Sequence, residues 1–143
     1  MPSFSKSSVQ KLETCHQMLR ELFYEAIKHI DFTVIEGHRG KAEQNRLFEL
    51  GKSRVKWPGS SHNYIPSKAI DIAPYYIEKP HVRYDKTALW RWYYFGGYII
   101  SLARSMSIPI RWGGDWDMDT YVLDQTFNDL PHFELSVVKG KEK

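Results

Sequence analysis

The order of helix-like and strand-like segments constrains the fold of this 143-residue chain more than any other feature of its sequence. Short β-branched runs alternate with segments whose apolar residues recur every three or four positions. This alternation predicts helices over 8–30, 41–50 and 86–106, and strands over 32–36, 69–73, 108–112 and 132–138. Gly51 stands where the second helix ends, and Asp85 where the third begins. The resulting order, αβαβαββ, favours an α+β domain with a small, mostly antiparallel sheet flanked by helices.

Length and composition limit the classes of protein to which this chain can belong. The length fits one domain, and because we find no repeat or linker we expect residues 1–143 to form a single domain. Cys15 is the one cysteine, which excludes an intrachain disulfide framework. The net charge of +3 is spread along the chain apart from a basic cluster at 139–143, and this disfavours a dedicated nucleic-acid binder. The first residues lack a secretory apolar region and no apolar run reaches membrane-span length, so we expect no signal peptide and no membrane insertion.

Two histidines and one carboxylate in separate segments have the residue types of a catalytic zinc site, which leaves one coordination position for water. They are His62, Asp71 and His132. If the strands over 69–73 and 132–138 pair, these side chains can converge on one point. Asp71 stands between two isoleucines, where a charge is costly unless it is paired or bound to a metal. The alternative is that one face of the strand is wet and Asp71 is only the polar half of an alternating pattern.

A further acid, Asp129, precedes His132 across a proline. Pro131 disfavours helix at Leu130, so Asp129 and His132 lie on an extended or turning segment. That arrangement puts a carboxylate beside the metal without making it a ligand, where it can take the proton of a zinc-bound water. Glu134 is the rival base. It lies on the same side of the strand as His132, and we interpret it as a surface acid or as a support for that ligand.

These segments resemble the Ser-x-His…Ala-x-Asp and Asp-x-Pro-His-Phe-Glu signatures of the D-Ala-D-Ala carboxypeptidase and L-alanyl-D-glutamate peptidase family, which includes phage endolysins. The matching residues are Ser60, His62, Ala69, Asp71, Asp129, Pro131, His132 and Phe133. The run from Trp112 to Trp116 is similar to the stretch that precedes the last motif in phage members. Glu36, Arg39 and Gln44 look like the family's substrate-side segment.

The resemblance implies a small α+β domain in which His62, Asp71 and His132 bind Zn²⁺ and Asp129 is the catalytic acid/base. It also implies that Arg39, Gln44 and Ser60 bind the substrate, with Arg39 making a bidentate contact to a carboxylate or a carbonyl. The implied substrate is the stem peptide of bacterial peptidoglycan. The loop from 63 to 68 is longer than the commoner family spacing and lacks glycine. This leaves open whether the L-Ala–D-Glu or the D-Ala–D-Ala bond is cut.

Two other interpretations stay open. Asp115, Asp117 and Asp119 are spaced like the start of a calcium loop, but threonines stand where that loop needs glycine and glutamate, which favours a solvated acidic turn. The alternative to an enzyme is a non-catalytic wall-binding or phage structural module on the same scaffold. Asp129 argues against it, because a binder needs no base beside the metal. For the enzyme we expect a monomer, made in the cytoplasm of the host cell, that reaches the wall after release through a membrane pore.

Overall fold

The computed structural model describes residues 2–136, and this part of the chain contains four α-helices and one four-stranded sheet. The helices are α1 (Lys6–Leu12), α2 (Gln17–Ala26), α3 (Lys41–Glu49) and α4 (Leu89–Ser105). The strands are β1 (Phe32–Glu36), β2 (Ala69–Pro74), β3 (Ile110–Gly113) and β4 (Asp129–Leu135). The predicted basic cluster at 139–143, and residues 137 and 138 of the last predicted strand, lie outside the described residues.

The strands lie in the order β1-β2-β4-β3, and each neighbouring pair is antiparallel. This confirms the predicted α+β fold with an antiparallel sheet. Ile70, Ile72 and Phe133 point into the main core, where they pack with Phe23 of α2 and Ile99 of α4. Because side chains alternate along a strand, the residues between them point to the other face of the sheet. That other face therefore receives the polar residues of the same strands.

The single helix predicted over 8–30 is wrong, because the chain breaks it between Leu12 and Gln17. At the break, the backbone N–H of His16 donates to the carbonyl of Ser67 over 2.8 Å, and the N–H of Ser67 donates to the carbonyl of Thr14 over 2.9 Å. His16 then caps α2 through its Nδ1, which accepts from the N–H of Met18. The apolar spacing in the sequence reflects the buried faces of α1 and α2. It does not reveal the backbone hydrogen bonds that join the break to Ser67 in a distant loop.

The predicted starts of the last two strands are also displaced, since β3 begins at Ile110 and β4 begins at Asp129. Trp112 explains the early start of β4, because its indole N–H donates to the carbonyl of Leu130 over 2.8 Å. A Cβ on Gly113 would lie 2.1 Å from the carbonyl oxygen of Asp129, so only glycine allows this approach. Asp129 is therefore held by backbone contacts to the neighbouring strand.

Helix α4 corresponds to the helix predicted over 86–106, with a short 3₁₀ turn at Lys86–Ala88 before it. Asp85 accepts from the N–H of Thr87, as its predicted capping position requires. No helix within residues 2–136 combines the length and the apolar character needed to cross a bilayer.

Candidate active site

Two of the predicted metal ligands face each other across the β2–β4 pair. Asp71 and His132 are directly opposite partners in the antiparallel register, and such partners project to the same face of a sheet. The distance from His132 Nδ1 to Asp71 Oδ1 is 3.3 Å. Asp71 therefore stands beside a histidine, and its position between two core isoleucines results from strand alternation.

The third predicted ligand, His62, comes from the 3₁₀ turn Ser61–Asn63. Ser60 caps this turn, because its hydroxyl accepts from the N–H of His62 over 3.1 Å. The His62 ring is buried, with Nδ1 2.7 Å from the carbonyl oxygen of Gly37 and Nε2 3.3 Å from Asp71 Oδ1. One ligand atom from each of His62, Asp71 and His132 lies within 4.8 Å of the other two. The structure thus brings together the three residues that the sequence predicted as ligands.

The contacts behind the two histidines fix which ring nitrogen carries a lone pair. The Gly37 carbonyl only accepts, so Nδ1 of His62 holds the hydrogen and Nε2 is the free nitrogen. This Nε2 is buried and has no hydrogen-bond partner among the described residues. The lone pair on Nε2 faces an oxygen of Asp71, and these two electron-rich atoms repel each other unless a cation lies between them. Two imidazoles and one carboxylate are ligands that suit Zn²⁺, so the residues present fit this metal.

His132 is supported from behind by a glutamate and an arginine. Its Nε2 lies 2.8 Å from Glu134 Oε1, and Arg111 donates to Glu134 Oε2 over 2.5 Å. Burial raises the pKa of Glu134, but His132 and Arg111 outweigh burial and lower that pKa to about 2. The ionised Glu134 accepts the Nε2–H of His132, which directs Nδ1 towards Asp71. A carboxylate behind a ligating histidine is a common second contact in zinc sites.

Without a metal, charge pairing keeps this cluster ionised. Burial lowers the pKa of His132, but Asp71 and Glu134 outweigh it and raise that pKa to about 9. Burial likewise raises the pKa of Asp71, while His132 and His62 together hold it well below its usual range. A proton on His132 therefore balances the two acids when no cation does so, and a metal that binds here displaces that proton.

Asp129 lines the same cleft as the three candidate ligands but is not one of the clustered atoms. Burial is the main cause of its raised pKa, and the charge of Asp71 adds to it, while His132 acts in the opposite direction. A carboxylate with a raised pKa holds a proton more readily than an ordinary aspartate, which suits a group that both takes and returns a proton.

Two of the three predicted substrate-binding residues line the cleft, and the third does not. Ser60 and Arg39 line the cleft. Gln44 does not, because it is fully buried behind Arg39. Its Oε1 accepts from Arg39 over 2.9 Å, and its Nε2 donates to Ser53 Oγ over 2.9 Å and to the carbonyl of Val55 over 2.8 Å. Gln44 therefore links Arg39 to the loop over 51–55.

Sequence reasoning missed part of the cleft wall. The cleft has a volume of about 450 Å³, and Lys52, Arg54 and Phe127 line it together with the predicted residues. The guanidinium carbon of Arg54 lies 4.0 Å from the centre of the Phe127 ring. No local pattern in the sequence signals this contact, because the two residues belong to loops that are distant in the chain.

The acidic run does not join the cleft. Asp115, Asp117 and Asp119 offer oxygens within 4.8 Å of one another. The Asp115 carboxylate accepts from the backbone N–H groups of Asp119 and Thr120, over 3.3 and 2.9 Å, so it also shapes the turn. The turn lies near Trp116, whose ring centre is 5.5 Å from that of His132.

The cleft wall is formed by an antiparallel sheet that carries one histidine and two acids, and a neighbouring 3₁₀ turn adds a second histidine. This set of side chains suits a small metal-dependent hydrolase. The sequence profile of the family described as phage L-alanyl-D-glutamate peptidase matches residues 2–136. The chain therefore belongs to this family of peptidases, and the family predicted from the sequence motifs is confirmed.

Two curated relatives and one solved structure are similar to this chain. The peptidoglycan L-alanyl-D-glutamate endopeptidase CwlK of Bacillus subtilis is 28% identical over 77% of the chain, and the match spans 64% of that protein. The L-alanyl-D-glutamate peptidase of Escherichia phage T5 is 29% identical over 80% of the chain and 81% of its own length. The crystal structure of the L-Ala D-Glu endopeptidase ChiX of Serratia marcescens superposes with a TM-score of 0.73 at 22% identity, covering 97% of this chain and 94% of that one. The last similarity establishes the fold.

Proposed function

We propose that this chain is a zinc-dependent endopeptidase that cuts the L-alanyl-D-glutamate bond in the stem peptides of bacterial peptidoglycan. The observation that carries the proposal is the convergence of the buried, unpartnered His62 Nε2 with Asp71 and His132 Nδ1. Membership of the peptidase family supports the reaction class. The names of CwlK and the phage T5 peptidase support L-Ala–D-Glu as the bond, in preference to D-Ala–D-Ala.

In this proposal His62, Asp71 and His132 hold the zinc ion. Bound zinc polarises the scissile carbonyl and lowers the pKa of the attacking water. Asp129 accepts a proton from that water and later returns it to the amine of the leaving residue. Its partly buried position holds the carboxylate at the cleft, and its raised pKa favours return of the proton.

Arg39 faces the reacting region with a charge that is already largely paired. Its Nε and one terminal nitrogen donate to Glu36 over 3.2 and 2.6 Å, and the same terminal nitrogen lies 3.9 Å from Asp71 Oδ2. With three of its five N–H groups directed at Glu36 and Gln44, the remaining N–H groups are available to a substrate carbonyl. We propose that Arg39 orients the peptide at the scissile bond and that Ser60 acts mainly by holding His62.

The setting of the reaction is also part of the proposal. The phage family and the phage T5 relative support an endolysin that is made in the host cytoplasm and acts on the wall after release through a membrane pore. We propose that it works as a monomer on peptidoglycan and has no nucleic-acid partner.

Mass spectrometry of purified peptidoglycan digested by the zinc-loaded protein tests the reaction. We expect fragments with a new C-terminal L-Ala and fragments with a new N-terminal D-Glu. Release of free D-Ala would instead show a carboxypeptidase. Undigested wall that still binds the protein would show a non-catalytic binding module.

A further inference from the structure

The cleft contains two arginines whose partners differ sharply. Arg39 is 10% exposed and is neutralised by Glu36. Arg54 is exposed and makes no hydrogen bond or ion pair with any residue of the described part of the chain. A guanidinium with its donors free is able to receive a carboxylate, whereas one already paired with a carboxylate has lost most of that capacity.

Arg54 is nevertheless held in place. Its guanidinium lies over the Phe127 ring at 4.0 Å, and Phe127 stacks with Trp116 at a ring separation of 6.3 Å and an angle of 13°. The indole N–H of Trp116 donates to the carbonyl of Phe127 over 2.8 Å, and the Trp116 ring contacts His132. A cation stacked on an aromatic ring keeps its in-plane N–H groups free for a ligand. A continuous series of contacts thus joins Arg54 to a candidate zinc ligand.

The loop that carries Arg54 is fixed from the other side by Gln44. The amide of Gln44 donates both to Ser53 Oγ and to the carbonyl of Val55, the two residues that flank Arg54. Gln44 is fully buried, although Ser53 and Val55 lie nearer the surface, so its amide is anchored inside the protein while it holds the loop. The backbone at Arg54 is therefore anchored at the wall of the cleft.

The substrate named in the proposed function has a group that fits this cation. A D-glutamyl residue has two carboxyl groups, and a peptide that continues from it uses one. The other stays close to the scissile nitrogen, either as a free carboxylate or as a carboxamide. We infer that Arg54 binds this free carboxylate and makes the enzyme selective for stem peptides whose D-glutamate is not amidated. This inference rests on the proposed function and adds the substrate class to it.

Lys52 is a second cation on the same wall, but among the described residues nothing holds its side chain. A flexible ammonium is a weaker selector than a stacked guanidinium, because its side chain loses more freedom on binding and does not form a bidentate pair.

Asp117 and Asp124 line the outer side of Arg54 without forming an ion pair with it. Within residues 2–136, its guanidinium therefore forms no ion pair with a carboxylate.

The test uses the full zinc-loaded chain and two synthetic stem peptides that differ only in a free or an amidated D-glutamyl carboxyl group. For the wild type we expect kcat/KM to be higher on the acid by about tenfold, the usual effect of a charge-assisted hydrogen bond that is partly open to solvent. Arg54→Gln should remove this preference by slowing cleavage of the acid about tenfold more than cleavage of the amide. Arg54→Lys should restore part of the preference.

The control variant is Lys56→Gln, which removes the same charge from the same segment. Lys56 lies over the Phe48 ring at 5.3 Å and does not line the cleft, so the preference should stay at the wild-type value. Equal cleavage of both peptides by the wild type would overturn the inference and leave the proposed function standing. An equal loss of kcat/KM on both peptides in Arg54→Gln would also overturn the inference. A loss of the preference in Lys52→Gln, rather than in Arg54→Gln, would overturn it too. Failure of the wild type to cut either peptide would overturn the proposed function, and the inference with it.

Discussion

The candidate site has one half carried by strands and one half carried by loops, and the two halves are stabilised differently. Asp71, His132 and Glu134 lie on β2 and β4, where the register and the alternation of side chains determine their positions. His62 and Arg39 lie on loops that hold each other, since the N–H of Arg39 donates to the carbonyl of His62 over 2.8 Å.

Because of this difference, we expect similar substitutions in the two halves to impair different properties of the protein. A change in the strand-borne half leaves the sheet in place, because the backbone ladder and the core residues do not depend on the polar face. Its effect should appear in metal binding and in proton transfer. A change in the loop-borne half removes a buried polar contact that holds the loops, so its effect should appear in stability as well.

The largest effect is expected from removal of a histidine ligand. His132→Ala and His62→Ala should each lose bound zinc and all measurable hydrolysis, because two remaining ligands do not make a stable three-ligand site. Metal content after dialysis and wall lysis measure this. His29→Ala is the matched control, since His29 is exposed and pairs with Glu25 away from the cleft. Full zinc occupancy in both ligand variants would remove the assignment.

The next effect concerns the base. Asp129→Asn should keep fold and zinc but lose about two to four orders of magnitude in rate, the usual contribution of a general acid/base. Burial disfavours the ionised form of Asp129, and the wild-type kcat/KM should have an acidic limb, falling as the pH drops and this carboxylate takes up a proton. The residual activity of Asp129→Asn should lack this acidic limb. The same acidic limb in both proteins would show that another group is titrating.

A smaller effect is expected for the support behind His132. Glu134→Gln should weaken zinc binding by roughly tenfold to a hundredfold, as is usual when a partner of a ligating histidine is changed, and excess zinc should restore turnover. Zinc titrations followed by kinetics at saturating metal separate these two quantities. If Glu134→Gln is inactive at saturating zinc while Asp129→Asn is active, the roles of the two acids are reversed.

The smallest effect on chemistry, and the clearest on stability, is expected at Gln44. Gln44→Leu should lower the free energy of unfolding by about 1–3 kcal/mol, because it removes the hydrogen bonds of a fully buried amide to Arg39 and to the carbonyl of Val55. Zinc affinity should stay close to that of the wild type. Denaturant unfolding of the zinc-loaded protein measures the free energy of unfolding, and a competitive zinc titration measures the zinc affinity. A normal stability with lost turnover would instead indicate that Gln44 contacts the substrate directly.

Much of the strand-borne half could be predicted from the sequence. Asp71 between two isoleucines and His132 after a proline are local patterns, and strand pairing is enough to bring them together. The family motifs supplied His62, whose loop has no periodicity that would place it. The order of elements was sufficient for the fold class.

The loop-borne half depends on contacts between distant segments, which a single sequence does not reveal. Ser67 interrupts the first predicted helix by pairing with Thr14 and His16, although the apolar spacing continues across the break. The resemblance assigns Gln44 to substrate binding, and no local pattern in the sequence signals that this side chain is buried against the loop over 51–55. The stacking of Arg54 on Phe127 is a contact of the same long-range kind.

Stepwise addition of zinc to the metal-free protein tests the central claim most directly, namely that His62, Asp71 and His132 build the zinc centre on which hydrolysis depends. Cleavage of a peptide with an L-Ala–D-Glu bond is measured after each addition. We predict no cleavage without metal and a rise in activity that levels off at about one zinc per chain, as expected for one three-ligand site. Full activity in the metal-free protein, or zinc that binds without restoring cleavage, would contradict the account.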